Sequence, residues 1–338
     1  MTKLVSIIIP HLKGFSILDE CVTSINQNIK KIDYEIIIVN NNSKDNSIKN
    51  IKNKFPEVKI IHSKINKGYA GGCNLGAKNS SGKYLFFLNN DTVITKNSVE
   101  LLVDELEKNQ NISSVQPKIK NYYNKKLFDY AGACGGYIDY LGYPFSRGRI
   151  FNTIEKDIGQ YEDKKKIFWA SGTAFLTRQK VFQEIGGFDE QLFAHMEEID
   201  YHWKCLLEKY DIYIIPESII YHKGGETLQY GSFKKIYLNH RNSIILFLSN
   251  HQNLSINMIF KRMVLEKLAA LNYLFTGKLS AFFAIYKANL WILIHLNYII
   301  KRRRKIKTNH IISEDLMAPY SIVKRYFKNR KTTYNQLN

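Results

Sequence analysis

Tyr84-Leu85-Phe86-Phe87-Leu88-Asn89-Asn90-Asp91-Thr92 is the stretch whose reading decides the fold. Five apolar or aromatic residues without a charge suit a strand covered on both faces of a sheet. Two amides, a carboxylate and a hydroxyl follow at once. In an open α/β sheet, ligands bind just past the carboxyl ends of the strands. A carboxylate there can hold a hard divalent cation against a diphosphate. The same Asn-Asn-Asp run also suits an ordinary turn, because such side chains hydrogen-bond their own backbone.

Upstream, strand and helix patterns alternate. Leu4–Ile9, Tyr34–Val39 and Val58–His62 read as strands, and Ile17–Asn28, Asp45–Phe55 and Ala70–Asn79 as helices. Such alternation implies parallel pairing with right-handed crossovers, an α/β domain of the nucleotide-binding type. Two loops follow strand ends. Val39-Asn40-Asn41-Asn42-Ser43-Lys44-Asp45 offers donors and acceptors for a base and ribose, or an N-cap at Ser43 or Asp45. The glycines of the 66–76 segment allow close backbone approach, with a helix N-terminus behind them that favours phosphate. The segment matches neither G-x-G-x-x-G nor the P-loop, which argues against a dinucleotide enzyme or an ATPase.

The 338 residues suffice for one or two domains, and 45% hydrophobic with 23% charged is an ordinary globular balance. A net charge of +19 calls for an anionic partner: nucleic acid, an anionic membrane surface or a phosphorylated substrate. Cys21, Cys73, Cys134 and Cys205 form no CxxC pair and read as reduced, structural residues of a cytosolic protein. Leu4–Ile9 is too short for a secretory h-region and reads as a first strand.

Downstream, Ser98–Asn109 reads as a helix and Ser113–Pro117 as a short strand. Asn121–Lys166 has little periodicity, so it is either a functional loop or poorly ordered. Glu197, Glu198 and Asp200 crowd a helix start. Neighbouring like charges raise at least one carboxyl pKa, as a general base requires. An acidic first turn facing the helix dipole is the alternative. His222 closes a strand pattern that begins at Asp211–Ile215, and Arg241 offers a guanidinium to phosphate.

VSIIIP at 5–10, VNNNSKD at 39–45, NKGYAGGCNLG at 66–76 and FLNND at 87–91 occur in one order. GGFDE at 186–190, HMEEID at 195–200 and HKGG at 222–225 continue it. This series resembles glycosyltransferase family 2, in particular the branch that includes many rhamnosyltransferases. The resemblance implies an α/β, GT-A (nucleotide-diphospho-sugar transferase) fold with a mainly parallel central sheet. It implies an inverting, metal-dependent sugar transfer from dTDP-rhamnose or a UDP-sugar to a glycan or lipid-linked acceptor, in cell-surface polysaccharide synthesis. Carried over by position, Pro10, Asn40, Asn41, Asn66, Gly71 and Asn90 would line the nucleotide pocket. Trp169 and Gly172 would face substrate, and Arg241 would clamp phosphate. Asp91, Asn89 and His222 would hold Mg²⁺ or Mn²⁺. Glu198 would be the base, Glu197 the alternative base, and Asp200 an orienting or capping group. Asn40 and Asn89 stand where the family usually has Asp, and an amide brings no charge to a metal. They motivate a rival reading, a catalytically inactive sugar-nucleotide binder. The charge motivates another, a basic nucleic-acid-binding protein, but no RNA-recognition, zinc or helix-turn-helix signature accompanies it, so no nucleic acid is expected.

The expected domain plan is a catalytic unit over 1–245, with a nucleotide-sugar half to residue 117 and an acceptor half from 118. A helical extension over 246–305 and a basic, partly ordered tail over 306–338 complete it. In Asn257–Ile300, polar residues beside aromatic and aliphatic ones suit an interfacial helix rather than a membrane span. Lys301-Arg302-Arg303-Arg304-Lys305 follows and favours anionic lipid headgroups. A helical pair packed on the domain is the other option. The expected location is cytoplasmic, peripheral at the inner membrane face.

Overall fold

The computed structural model describes residues 4–224, 231–306 and 310–337. The chain opens with β1 (Val5–His11), α1 (Phe15–Asn28), β2 (Tyr34–Asn40), α2 (Ser47–Lys54), β3 (Lys59–His62), α3 (Gly68–Lys78) and β4 (Tyr84–Leu88). These four strands run parallel in the order β3-β2-β1-β4. Alternate side chains of each strand feed different cores. Tyr84, Phe86 and Leu88 enter one cluster, Leu85 and Phe87 the other. Helices cover both faces, which is why the strands are apolar without alternation.

β5 (Thr92–Ile94), α4 (Ser98–Lys108) and β6 (Ile112–Asn121) follow. β6 is longer than the expected Ser113–Pro117 strand. The segment expected to be loop or poorly ordered instead forms β7 (Gly136–Asp139), β8 (Pro144–Ser146), β9 (Arg149–Ile150) and β10 (Thr153–Ile154), then β11 (Lys165–Lys166). Strands of two to four residues are too short to show a period of two in the sequence.

β12 (Ala174–Arg178), α5 (Gln179–Ile185), α6 (Glu197–Leu207) and β13 (Asp211–His222) complete the main sheet and its helices. β13 continues past Pro216 through a bulge between Ile215 and Ile219, an arrangement that tolerates proline in a strand. The main sheet has the order β11-β13-β6-β12-β4-β1-β2-β3, with β5 on β13. β12 lies antiparallel beside β4, with Ala174 opposite Leu88. That pairing brings the loop before β12 to the polar end of β4.

Four helices follow: α7 (Phe233–Asn250), α8 (Ile256–Phe275), α9 (Leu279–Ile294) and α10 (Leu296–Lys305). The expected tail is no loose appendage over 310–337. β14 (Met317–Ala318) joins the second sheet beside β7, in the order β10-β9-β8-β7-β14. Ile312, Leu316, Ala318, Ile322 and Leu337 belong to the larger core. The buried Asp139 carboxylate accepts from the backbone N–H of Leu141, Tyr143 and Ile322, fastening the tail to β7. Five apolar anchors scattered among lysines leave no periodic signal, so the stretch looks like a tail in sequence.

No single helix among the described residues is long and apolar enough to cross a membrane, and α9 and α10 meet at a 68° bend. The basic run divides. Arg302 turns inward to Asp189 and Asp200, and Arg303 to the carbonyls of Leu248, His251 and Gln252. Lys301, Arg304 and Lys305 remain exposed.

Candidate active site

The polar end of β4 meets the end of β13. Asp91 Oδ1 lies 3.1 Å from His222 Nε2, and Asp129 Oδ1 lies 2.9 Å from His222 Nδ1. All three side chains are buried. Burial works to lower the His222 pKa, but Asp129 and Asp91 outweigh it and push it up to about 10. The Asn89 amide sits at the edge of this set, 3.5 Å from His222 Nε2. Gly225 of the HKGG motif lies outside the described residues.

The set fits a divalent cation. Two ligands about 2.1 Å from an octahedral Mg²⁺ stand about 3 Å apart, close to the Asp91–His222 spacing. A carboxylate on the far nitrogen of a ligating histidine fixes its tautomer and orientation, and Asp129 stands there. Among the described residues no three His, Cys, Asp or Glu side chains form a metal cage. Substrate phosphates and water would complete the shell.

The residues expected to line the nucleotide pocket form one bonded set. His11 Nε2 lies 2.7 Å from Ser47 Oγ, and His11 Nδ1 lies 2.9 Å from Asn90 Nδ2. Asn40 Oδ1 accepts from Ser43 N, and its amide nitrogen lies 3.1 Å from His62 Nδ1. Asn41 bridges to the glycine-rich segment, donating to Gly68 O and accepting from Lys67 N. Asn66 Oδ1 accepts from Gly68 N. A β-carbon at Gly72 would stand 3.1 Å from Pro10 Cβ, and one at Gly71 would stand 2.6 Å from Lys67 Cβ. Asn40, Asn41 and Asn66 thus shape the loops with their own amides, whatever else they touch.

The carboxylates sit across from the β4 end. Asn89 N donates to Thr173 O at 2.9 Å, so loop 171–173 runs beside the polar end of β4. A β-carbon at Gly172 would stand 3.6 Å from Glu198 Cδ and 3.5 Å from the Tyr69 ring. The Tyr69 hydroxyl donates to Gly172 O. Glu197 and Glu198 each have a buried carboxylate oxygen without a hydrogen-bond partner. Burial is the main cause that pushes the Glu198 pKa up to about 7, against backbone N–H groups that pull it down. Burial and then the Glu198 charge hold Glu197 well above the usual carboxylate range.

The backbone before this pair is strained. Phe193, His195 and Met196 all have left-handed φ, at 65°, 68° and 74°. Such residues cost about 1–3 kcal/mol each and persist where surroundings over-determine them. Asn242 supplies the constraint: its amide nitrogen lies within 3.0 Å of the carbonyls of Leu192, Ala194 and His195. A glycine at 68, with φ +70°, admits the Phe193 carbonyl, which would stand 2.1 Å from a β-carbon there.

Three expected site residues are occupied elsewhere. Asp200 is fully buried and bonded to Arg302, Asn250 and Lys204. Burial would raise its pKa, but Arg302 and Lys204 hold it down at about 2. It therefore anchors the back of α6. Arg241 donates to the carbonyls of Gln191 and Leu192, bracing the strained loop. Trp169 is buried against Gly136, with its indole N–H on Tyr137 O. Sequence reasoning missed Asp129, Tyr69 and Asn242 as site-building residues. Asp129 lies in the segment without periodicity, and no local pattern marks it.

The family model for glycosyl transferase family 2 matches residues 6–186, more than half of the chain. The chain belongs to glycosyl transferase family 2. Poly-β-1,6-N-acetyl-D-glucosamine synthase of Staphylococcus epidermidis is 26% identical over 202 residues, 57% of this chain and 44% of that protein. The N-acetylglucosaminyl-diphospho-decaprenol L-rhamnosyltransferase of Mycobacterium tuberculosis is 22% identical over 57% of this chain and 67% of that protein. The chain thus spans less than half the length of the first of these relatives. Among solved structures, GalNAc-T7 with UDP, GalNAc and Mn²⁺ superposes with a TM-score of 0.59 at 18% identity, over 73% of this chain and 48% of that one. The mannosyltransferase PcManGT from Pyrobaculum calidifontis, in complex with GDP-Man and Mn²⁺, gives 0.52 at 10% identity, over 87% and 76%. These likenesses establish the GT-A fold of this family 2 chain, a mixed α/β sheet with helices after it.

Proposed function

We propose that this family 2 protein is an inverting glycosyltransferase. It moves a sugar from a nucleoside-diphosphate donor to a hydroxyl of a lipid-linked or glycan acceptor. The observation that carries the reading is Glu198, a carboxyl raised to about 7, packed at the start of α6 against Gly172, in the loop whose Thr173 carbonyl accepts from Asn89 N. A base with a pKa near the working pH contributes roughly 10²–10⁴-fold. Glu198 accepts the acceptor proton as its oxygen attacks the anomeric carbon, and the nucleoside diphosphate leaves from the opposite face. Glu197, held neutral, leaves Glu198 the charge. Asp91 and His222 would hold Mg²⁺ or Mn²⁺, which supplies charge stabilisation at the departing diphosphate when bound. Among the described residues, Glu197 and Glu198 retain both catalytic carboxyls, which favours turnover over the inactive-binder reading.

The acceptor class draws on two supports. The mycobacterial relative is named for a diphospho-decaprenol acceptor. The helical extension also turns its apolar side outward: Ile256, Phe260, Leu268, Phe275, Leu279, Phe283, Leu290 and Leu293 are all exposed. Glu266, the sole carboxylate between Ile256 and Lys305, is buried. An apolar face with only cations around it suits an anionic membrane surface. The donor of first choice is dTDP-rhamnose, followed by UDP-sugars. Thermal shift with dTDP, UDP and GDP, each with and without Mn²⁺ or Mg²⁺, tests the reading. One nucleotide giving a metal-dependent shift supports it, and no shift with any of them sinks it.

A further inference from the structure

A cleft of about 580 Å³ opens beside the catalytic loop, lined by Lys67, Glu190, Phe193, Lys234, Tyr237 and Arg241 among others. Its size falls within the range of small-molecule sites, about 300–1,000 Å³. Three cations face one carboxylate. That carboxylate, Glu190, lies 3.6 Å from Lys67 Nζ, and both side chains are partly exposed. Lys234 Nζ sits 4.2 Å over the Phe193 ring. None of the metal-side residues Asn89, Asp91 and His222 lines the cleft.

Two of its walls lead to different places. On one side, Phe193 rests on Gly68, and the next residue, Tyr69, bonds the Gly172 carbonyl beside Glu198. This wall connects through Gly68 and Tyr69 to the loop packed on Glu198. On the other side, Arg241 lies 5.0 Å over Trp291 of α9, and Lys287 of α9 lies 5.5 Å from the Tyr237 ring. This wall runs into the exposed row Phe283, Tyr286, Leu290 and Leu293. Cations, aromatic faces and an adjoining apolar row together match an amphiphile with an anionic head.

We propose that this cleft binds the diphosphate linker of a prenyl-type acceptor, whose chain leaves along the outer face of α9. The inference rests on the glycosyltransferase reading and names the acceptor group that the same active site uses. Lys234 faces the linker from the cleft wall, Lys287 stands at the rim over the Tyr237 ring, Phe193 flanks it, and the acceptor sugar beyond the linker points to Glu198. Head and tail are then held by different elements, so each can be removed alone.

Calorimetric titration of the full chain, saturated with the nucleotide and metal it binds, provides the test. The probes are farnesyl diphosphate, inorganic pyrophosphate, farnesol and dihexanoylphosphatidylglycerol. Farnesyl diphosphate is expected to bind at least tenfold more tightly than pyrophosphate, farnesol or the phospholipid. K234A/K287A is expected to weaken farnesyl diphosphate at least tenfold while keeping the nucleotide thermal shift. F283S/L290S is expected to weaken farnesyl diphosphate and leave pyrophosphate unchanged. Unaltered affinity in K234A/K287A overturns the inference, as does equal binding of the phospholipid or displacement by the nucleotide. If the wild type binds nucleotide but no farnesyl diphosphate, the cleft assignment fails and the glycosyltransferase reading stands. If it binds no nucleotide, that reading fails first, and the inference with it.

Discussion

Helices α6 and α8 both bury glutamate, with opposite outcomes. In α6, Glu197 and Glu198 have no cation partner, and burial drives both carboxyl pKa values up. In α8, Glu266 lies 3.0 Å from Arg262 Nη2 and 2.5 Å from His240 Nδ1, and its pKa falls to about 2 although burial alone would raise it. A buried carboxyl with a partner holds structure, and one without a partner keeps a proton within reach of neutral pH. Asp200 sharpens the contrast. It lies on α6 two residues after Glu198, yet Arg302 and Lys204 hold it ionised. One helix therefore carries a reactive front and an anchored back.

The contrast predicts where mutations act. E198Q is expected to lower kcat roughly 10²–10⁴-fold with donor affinity unchanged; equal loss in KM and kcat would make Glu198 a binding residue instead. R262M leaves Glu266 buried without its guanidinium and is expected to cost about 3–5 kcal/mol in chemical denaturation. A loss under about 1 kcal/mol would mean that His240 alone suffices.

pH separates the two helices further. Activity is expected to rise about tenfold per pH unit below about pH 7, where Glu198 is half ionised, and to level about one unit higher. The stability sign is the reverse. The folded Glu198 pKa is raised, so its favourable contribution is complete below the ordinary glutamate value of 4.5 and is lost as pH climbs to about 7. E198Q is therefore expected to melt higher than wild type at pH 8 and at the same temperature at pH 4. An identical gap at both pH values would break the comparison. The smallest effect on the fold is expected from F260S/L268S on the outer face of α8. Stability should stay within about 0.5 kcal/mol, while binding to phosphatidylglycerol vesicles falls.

The parallel half was legible because Ile7–Ile9, Ile36–Val39 and Tyr84–Leu88 are apolar runs that end near polar residues, and β1 through β4 are found near the expected positions. The acid pair was legible because Glu197 and Glu198 are adjacent in sequence. Asp129 was not, since it reaches His222 from 93 positions away along the chain and no periodicity links them. Lys301–Lys305 shows the limit of composition. Five adjacent cations read as one surface patch, but helical geometry turns Arg302 toward Asp189 and Asp200 and Arg303 toward backbone carbonyls, while Lys301, Arg304 and Lys305 face solvent. Five residues span more than one turn of a helix, so a charge run on a helix cannot all face one way.

The seating of β14 also has a temporal consequence. Ile322 N bonds Asp139 Oδ2 across 183 positions of chain. During synthesis, β7 emerges long before the strand that flanks it, and the second sheet stays open-edged until residues 317–322 leave the ribosome. Contacts this distant in sequence close slowly and leave strand edges exposed meanwhile. Nascent chains halted before residue 317 would carry a finished parallel half beside an unclosed second sheet, an arrangement that chaperones and proteases detect.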